Sequence, residues 1–383
     1  MTNDLETQAA RLFSVGFHGK ELGDDLQKLV ARGVSGVVFF SRNVASPADV
    51  ADLTNAIKRV ATRPLLLALD QEGGQVARLR QGFTEVPPMR AIGATRSAVL
   101  SREVGALIGR ELRAVGFDMN YAPVFDVDTN PANPVIGARS FGDTPALVSE
   151  LGVALAAGLE SASVAACGKH FPGHGDTSQD SHLELPRLPH SFERLEQTEL
   201  APFAAAVAAG IPSIMTAHVV FEPLDAIYPA TMSRAVLHGL LREKMGYDGL
   251  VVSDDIEMRA ISDHFAVEDV IARGLNAGVD QFLCCHSAET AHRAIDAVIH
   301  AVESGDVSRE VLATANRRIL TFTQRYAQPA QSSIDLSCLR SEGHLAVIER
   351  VLRGAATPVT AAGYDPTEIM YRIRLERGRR STT

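Results

Sequence analysis

Short runs of apolar residues, rich in Val, Leu, Ile and Phe, alternate along this chain with longer stretches whose apolar positions recur at helical spacing. The runs predict strands at Leu12–Phe17, Gly36–Phe40, Leu65–Asp70, Asp118–Val124, Ala165–His170, Ser213–His218, Leu250–Asp254 and Gln281–Cys285. Their near-continuous hydrophobicity (LLLALD, GLVVSD) is that of strands buried on both faces, as in a parallel sheet covered by helices. The intervening stretches predict helices at Glu21–Arg32, Pro47–Val60, Ala98–Val115, Pro145–Ser161, Leu195–Ala209, Arg234–Lys244, Val267–Ala277 and Ala288–Ser304. Ser46 before Pro47 reads as an N-cap, and Gly33, Gly116, Gly210, Gly246 and Gly278 stand where C-cap glycines belong. Eight strand–helix units are the count of a (β/α)8 TIM-like barrel. The competing doubly wound sheet lacks its strand–GxGxxG–helix turn. The catalytic barrel is assigned to residues 1–326. Residues 327–383 read as a linker (QPAQSSIDLSC) and a C-terminal tail, with one helix over His344–Gly354 and a part without apolar periodicity from Pro358 to Thr383, expected to be partly disordered.

Composition narrows the partners. A chain of 383 residues with 46% hydrophobic and 22% charged residues has enough apolar content for a large core, and its net charge of −9 argues against nucleic acid. The start, MTNDLETQAARLF, has neither a basic stretch nor an apolar run, and no window approaches a membrane span. The four cysteines form no C-x-x-C pair. These features predict a cytoplasmic protein with free thiols, no membrane association and a monomeric barrel.

Titratable residues close most of the strands. Asp70 ends the third and leads into QEGGQVARLR, Asp126 and Asp128 follow the fourth, and Lys169 with His170 ends the fifth. His218 ends the sixth, Asp254 and Asp255 the seventh, and His286 follows the eighth. In such barrels the active site lies at the carboxyl ends of the strands. Of the aspartate pair, repulsion implies that one faces the pocket while the other is held by backbone or a cation. Arg78 reads equally as a surface residue or a ligand, and Arg139 equally as a ligand or a partner of Asp126. The richest stretch is KHFPGHGDTSQDSHLELP, Lys169–Pro186, whose Gly173 and Gly175 imply an irregular loop. One reading makes His170, His174, Asp176 and His182 metal ligands, although their spacing matches no usual zinc pattern. The other pairs Asp180 with His182: two apart on an extended segment they point the same way, so the carboxylate bonds one imidazole nitrogen and the other meets substrate. With a remote carboxylate such as Asp254, that pair supplies the acid and the nucleophile of glycoside hydrolysis.

The segments ALDQEGGQVARLR, NYAPVFDV, IGARSFG, KHFPGHGDTSQDSHLELP, TAHVVF and VVSDDIEM, in this order between Leu12 and Thr323, resemble glycoside hydrolase family 3, specifically its β-N-acetylglucosaminidase branch. The resemblance implies a retaining exo-β-N-acetylglucosaminidase (β-N-acetylhexosaminidase) acting on cell-wall, peptidoglycan-derived fragments. It implies Asp254 as nucleophile, His182 with Asp180 as acid/base, and Asp70, Arg78, Arg139, Lys169 and His170 as sugar-binding residues. No metal or organic cofactor is implied. A phosphorylase or β-glucosidase of the same family is the alternative activity. The chain departs from the family in having no tryptophan for stacking on sugars, and in having too few residues after Ser333 for the second domain many members carry.

Overall fold

The computed structural model describes residues 2–355. Eight parallel strands close into a barrel: β1 (Phe13–Gly16), β2 (Gly36–Phe39), β3 (Leu66–Leu69), β4 (Met119–Asn120), β5 (Ala165–Phe171), β6 (Ser213–Thr216), β7 (Leu250–Asp255) and β8 (Gln281–Cys284). Each pairs with its sequence neighbours, and β1 closes the ring against β8 through Phe13 opposite Phe282. This is the (β/α)8 fold expected from the pattern, with helices around the outside and barrel strands buried at every position but Asp254.

The differences from expectation have local causes. The fourth strand is two residues long rather than running to Val124, because Pro123 has no N–H to give the ladder; Val124 keeps one bridge, to Lys169. The helix expected over Leu195–Ala209 is two, Phe192–Gln197 and Leu200–Ala208, since Pro202 cannot bond back to the preceding turn. Arg234–Lys244 is helical over Ala235–Lys244 but wound as a π-helix. Helices Thr2–Arg11, Met89–Thr95 and Arg309–Tyr326 went unread. Ser46 does cap its helix, its Oγ accepting from the Asp49 amide at 3.3 Å, and Gly33 ends another at φ +108°, a left-handed conformation that disfavours side chains.

The residues read as a linker run along the barrel. The Gln328 amide donates to Asp118, a buried carboxylate that also takes Lys58 and Arg113 at 2.9 and 2.8 Å. The Gln331 amide donates to Asn55. The anticipated C-terminal helix spans Glu342–Gly354 and packs on Ala98–Ala114, where His344 Nδ1 lies 2.9 Å from Glu111 Oε1. The aperiodic stretch from Pro358 lies outside the described residues.

Candidate active site

The floor of the site is an ionic network across the ends of β3 and β5. Asp70 follows β3, and the chain then reverses through the pairing of Gln71–Gly73 with Val76–Ala77. The reversal requires glycine: Gly73 has φ +108°, and a Cβ there would stand 2.7 Å from the Pro87 carbonyl oxygen. The Gln71 side chain fixes the returning arm by accepting from the amides of Arg78 and Leu79 at 2.9 and 3.0 Å. Arg78 thereby reaches Asp70, donating from Nη2 to Oδ2 at 2.9 Å. Lys169, on β5, donates to Asp70 Oδ1 at 2.7 Å and lies equally close, 2.7 Å, to Glu72 Oε1. Arg139 forks onto Glu72 with Nε at 2.9 Å and Nη2 at 2.8 Å, the planar match of guanidinium to carboxylate.

All five side chains are buried, so the charges are tolerable only as a set. Burial alone would raise the carboxyl pKa values. Lys169 and Arg78 outweigh it at Asp70, holding that acid well below the usual carboxylate range. Arg139 and Lys169 outweigh it at Glu72, which falls to about 2. Burial would likewise lower Lys169, but Asp70 and Glu72 raise it. The floor is therefore ionised at neutral pH, with three cations against two carboxylates.

Beyond Lys169, Asp126 organises the root of the long loop. Its Oδ2 is 2.6 Å from His170 Nδ1, while Oδ1 accepts from the amides of His170 at 3.2 Å and His174 at 2.6 Å. Gly175 presses so near the chain before it that a Cβ would fall 1.8 Å from the Val127 carbonyl oxygen. Asp176 anchors the outer side of the loop through Thr129 and His190. At the loop's far end Asp180 and His182 meet, with Oδ1 2.7 Å from Nδ1. They do so on a turn and not on the extended segment expected: the amides of Leu183 and Glu184 both bond the Asp180 carbonyl at 2.9 Å, and the His182 amide returns to Asp180 Oδ1 at 2.8 Å. With Nδ1 engaged, Nε2 is the nitrogen left toward the pocket. Burial raises the Asp180 carboxyl, but its bond and attraction to His182 bring it below the ordinary value.

The third side comes from β7. Asp254 lies at the pocket and its Oδ1 accepts the Asp255 amide at 2.8 Å. Asp255 is the member of the pair held in place: the amides of Glu257 and Cys285 donate to its Oδ1 at 3.1 and 3.2 Å, and His286 Nε2 is 3.2 Å from Oδ2. His218 Nε2 contacts the Asp255 carbonyl at 3.0 Å and its Nδ1 contacts Thr231, so this histidine supports the strand end.

Asp70, Lys169, His170, His182 and Asp254 line one pocket, with about 590 Å³ of free space including its mouth. Phe40, Val38, Met215 and Met258 form much of its apolar wall. Arg78, Arg139 and Asp180 stand behind the lining and engage carboxylates or the imidazole. Arg139 pairs with Glu72, not with Asp126 as the sequence had allowed. The loop's candidate metal ligands diverge: His174 is occupied by two hydroxyls and Asp176 by Thr129 and His190. Sequence reasoning missed Glu72 and left Asp126 without a site role. The sign available for Asp126 was an acidic residue just past an apolar strand, the same sign that singled out Asp70; Glu72, inside the QEGG reversal, offered none.

An imidazole–carboxylate pair, a second carboxylate in the same pocket and an ionised floor at the strand ends of a (β/α)8 barrel provide a proton donor, a carboxylate and polar binding groups together. The sequence profile of the glycosyl hydrolase family 3 N-terminal domain matches residues 5–322, and the chain belongs to that family. It is 35% identical over 374 residues to β-hexosaminidase A of Pseudoalteromonas piscicida, covering 90% of this chain but only 62% of that protein's length. A β-hexosaminidase of Thiobacillus denitrificans is 41% identical over 280 residues, 71% of this chain and 77% of the relative. Among solved structures, a family 3 β-N-acetylglucosaminidase from Paenibacillus sp. aligns with TM-score 0.89 at 43% identity, covering 92% of this chain and 68% of that one. NagZ from Neisseria gonorrhoeae, in complex with N-trifluoroacetyl-D-glucosamine, aligns with TM-score 0.76 at 29% identity over 90% of this chain and 98% of its own.

Proposed function

We propose that the protein is a retaining exo-β-N-acetylglucosaminidase that releases terminal N-acetylglucosamine from peptidoglycan-derived fragments. The observation that carries this reading is the Asp180–His182 pair, 2.7 Å apart, whose imidazole lines the same pocket as Asp254. Asp254 attacks the anomeric carbon as His182 Nε2 protonates the departing glycosidic oxygen, and a glycosyl-enzyme forms. His182 then takes a proton from water, which displaces Asp254 and restores the carboxylate. Asp180 keeps Nδ1 protonated and stabilises the imidazolium at each transfer. Asp70 accepts from sugar hydroxyls, Lys169 and His170 donate to hydroxyl or acetamido oxygens, and Arg78 and Arg139 complete the binding set around the carboxylates. In this reading the enzyme is cytoplasmic, which four free cysteines suit, and meets imported fragments rather than polymer; it acts as a monomer, every proposed residue lying on one barrel.

Asp254→Ala lowers kcat on an aryl N-acetylglucosaminide by at least ~10³-fold with the fold intact; wild-type turnover by this variant overturns the nucleophile assignment. An imidazole acid over a floor with excess positive charge also suits an anionic acceptor, which favours phosphorolysis as the second reading. Product N-acetylglucosamine 1-phosphate in phosphate buffer selects it, free sugar at an unchanged rate selects hydrolysis, and faster turnover of the aryl glucoside selects β-glucosidase.

A further inference from the structure

The loop that carries His182 has a fixing device that the reaction itself does not use. His174 is buried, and its two ring nitrogens meet two hydroxyls: Nδ1 is 2.8 Å from Thr177 Oγ1, and Nε2 is 2.9 Å from Ser181 Oγ. Ser181 stands between the two members of the dyad. The His174 amide is held at 2.6 Å by Asp126, the carboxylate that also holds His170 Nδ1. On its other side the Ser181 carbonyl accepts the Ala260 amide at 3.3 Å, from the segment that follows Asp254 along the chain. A hydrogen-bonded path thus runs from His170 through Asp126 and His174 to Ser181, and from Ser181 to the short helix Arg259–Ser262 that follows β7.

We infer that His174 and Ser181 form the latch that holds the catalytic loop closed and sets His182 over the glycosidic oxygen; they are positioning residues. The inference rests on the reading of His182 as the proton donor. The chemistry of the latch suits the task. A neutral imidazole has one donating and one accepting nitrogen, and a hydroxyl can fill either role, so both bonds form without a net charge entering the pocket. Burial keeps the ring in that form by lowering His174 to about 4, with the neighbouring His170 acting in the same direction. Individual bonds of this kind contribute little net free energy, so the latch can open for substrate entry and product release.

The test is a leaving-group comparison on Ser181→Ala, Ser181→Thr and His174→Gln, with His182→Ala as reference. Substrates are a dinitrophenyl N-acetylglucosaminide, whose leaving group needs no proton, and an alkyl or disaccharide substrate, whose leaving group does. Ser181→Ala and His174→Gln are expected to lose about tenfold or more in kcat/KM, which reports the step that breaks the glycosidic bond, on the second substrate and less than about threefold on the first. Ser181→Thr, which retains the hydroxyl, recovers most of the loss, and the Ser181→Ala/His174→Gln double variant is no worse than the worse single one. An equal fall on both substrates, or none on either, overturns the latch. So does failure of the threonine to rescue. If His182→Ala itself shows no leaving-group dependence, the proton-donor reading has failed and the latch with it. If His182→Ala shows the dependence and the others do not, the latch alone is wrong. Should His174→Gln fold poorly, the Ser181 pair decides the matter alone.

Discussion

The two halves of the site are built in opposite ways. The floor, Asp70, Glu72, Arg78, Arg139 and Lys169, is a closed set of buried ions, each charge answered by another at 2.7–2.9 Å. The loop from Gly173 to His182 is held mainly by single hydrogen bonds, many between neutral groups, such as His174 to Ser181 and Asn133 to the His174 carbonyl. Removing one ion from the floor strands another in a low-dielectric place, whereas removing one loop bond leaves groups that water can satisfy once the loop opens. On the proposed mechanism, rigidity lies where the sugar would bind, and compliance where the proton donor would arrive and withdraw.

The strongest way to break that contrast is at Glu72. Replacing it with Ala leaves Lys169 and Arg139 with one carboxylate fewer between them. The expected cost is about 3–5 kcal/mol of stability, read from the denaturant midpoint, together with a raised KM. A variant as stable as the wild type would show that the floor is not an interdependent set. At His182 the expectation reverses. His182→Ala retains its unfolding midpoint to within about 1 kcal/mol and loses ~10²-fold in turnover of substrates with poor leaving groups. A large loss of stability there would mean that the loop, too, is part of the rigid frame.

How much of this was legible in the sequence follows the same division. The floor's outline could be read because Asp70 and Lys169 end uninterrupted apolar strands, and a polar residue at that point is visible without a structure. Glu72 could not: it lies within QEGG, where nothing but the tight reversal at Gly73 brings it under Lys169, and its partner Arg139 is remote in sequence. The Asp180–His182 contact was anticipated by spacing but with the wrong backbone, since a side chain that bonds its own neighbours' amides turns the chain where alternation assumed extension. His174 was noticed as a histidine between glycines and weighed only as a metal ligand. Its two hydroxyl partners, Thr177 and Ser181, have no pattern in a sequence, because a loop's internal bonds depend on a path that neither the helical nor the strand period records.

The smallest effect distinguishes the halves by pH. Glu72 has a folded pKa of about 2 against an ordinary value of 4.5, so its contribution is fully present above about pH 4.5 and is lost as pH falls through about 2. His174 has a folded pKa of about 4 against 6.5. Below 6.5 the exposed imidazole of the opened loop binds a proton that the buried one refuses, so the closed form loses ground as pH falls from about 6.5 toward 4, and nothing changes above that window. The groups facing His174 modulate this without reversing it: Asp126 favours the protonated ring, while His170 and His182 oppose it. Proteolytic nicking between Gly173 and Arg187 should therefore increase between pH 6.5 and 4.5, with the network around Glu72 still ionised. In His174→Gln the nicking should be pH-independent over that interval, with an acid-stable protease used so that its own activity does not supply the trend. Nicking that rises equally in both proteins would assign the acid sensitivity to some other group in the loop, and the pH contrast between floor and loop would fall with it.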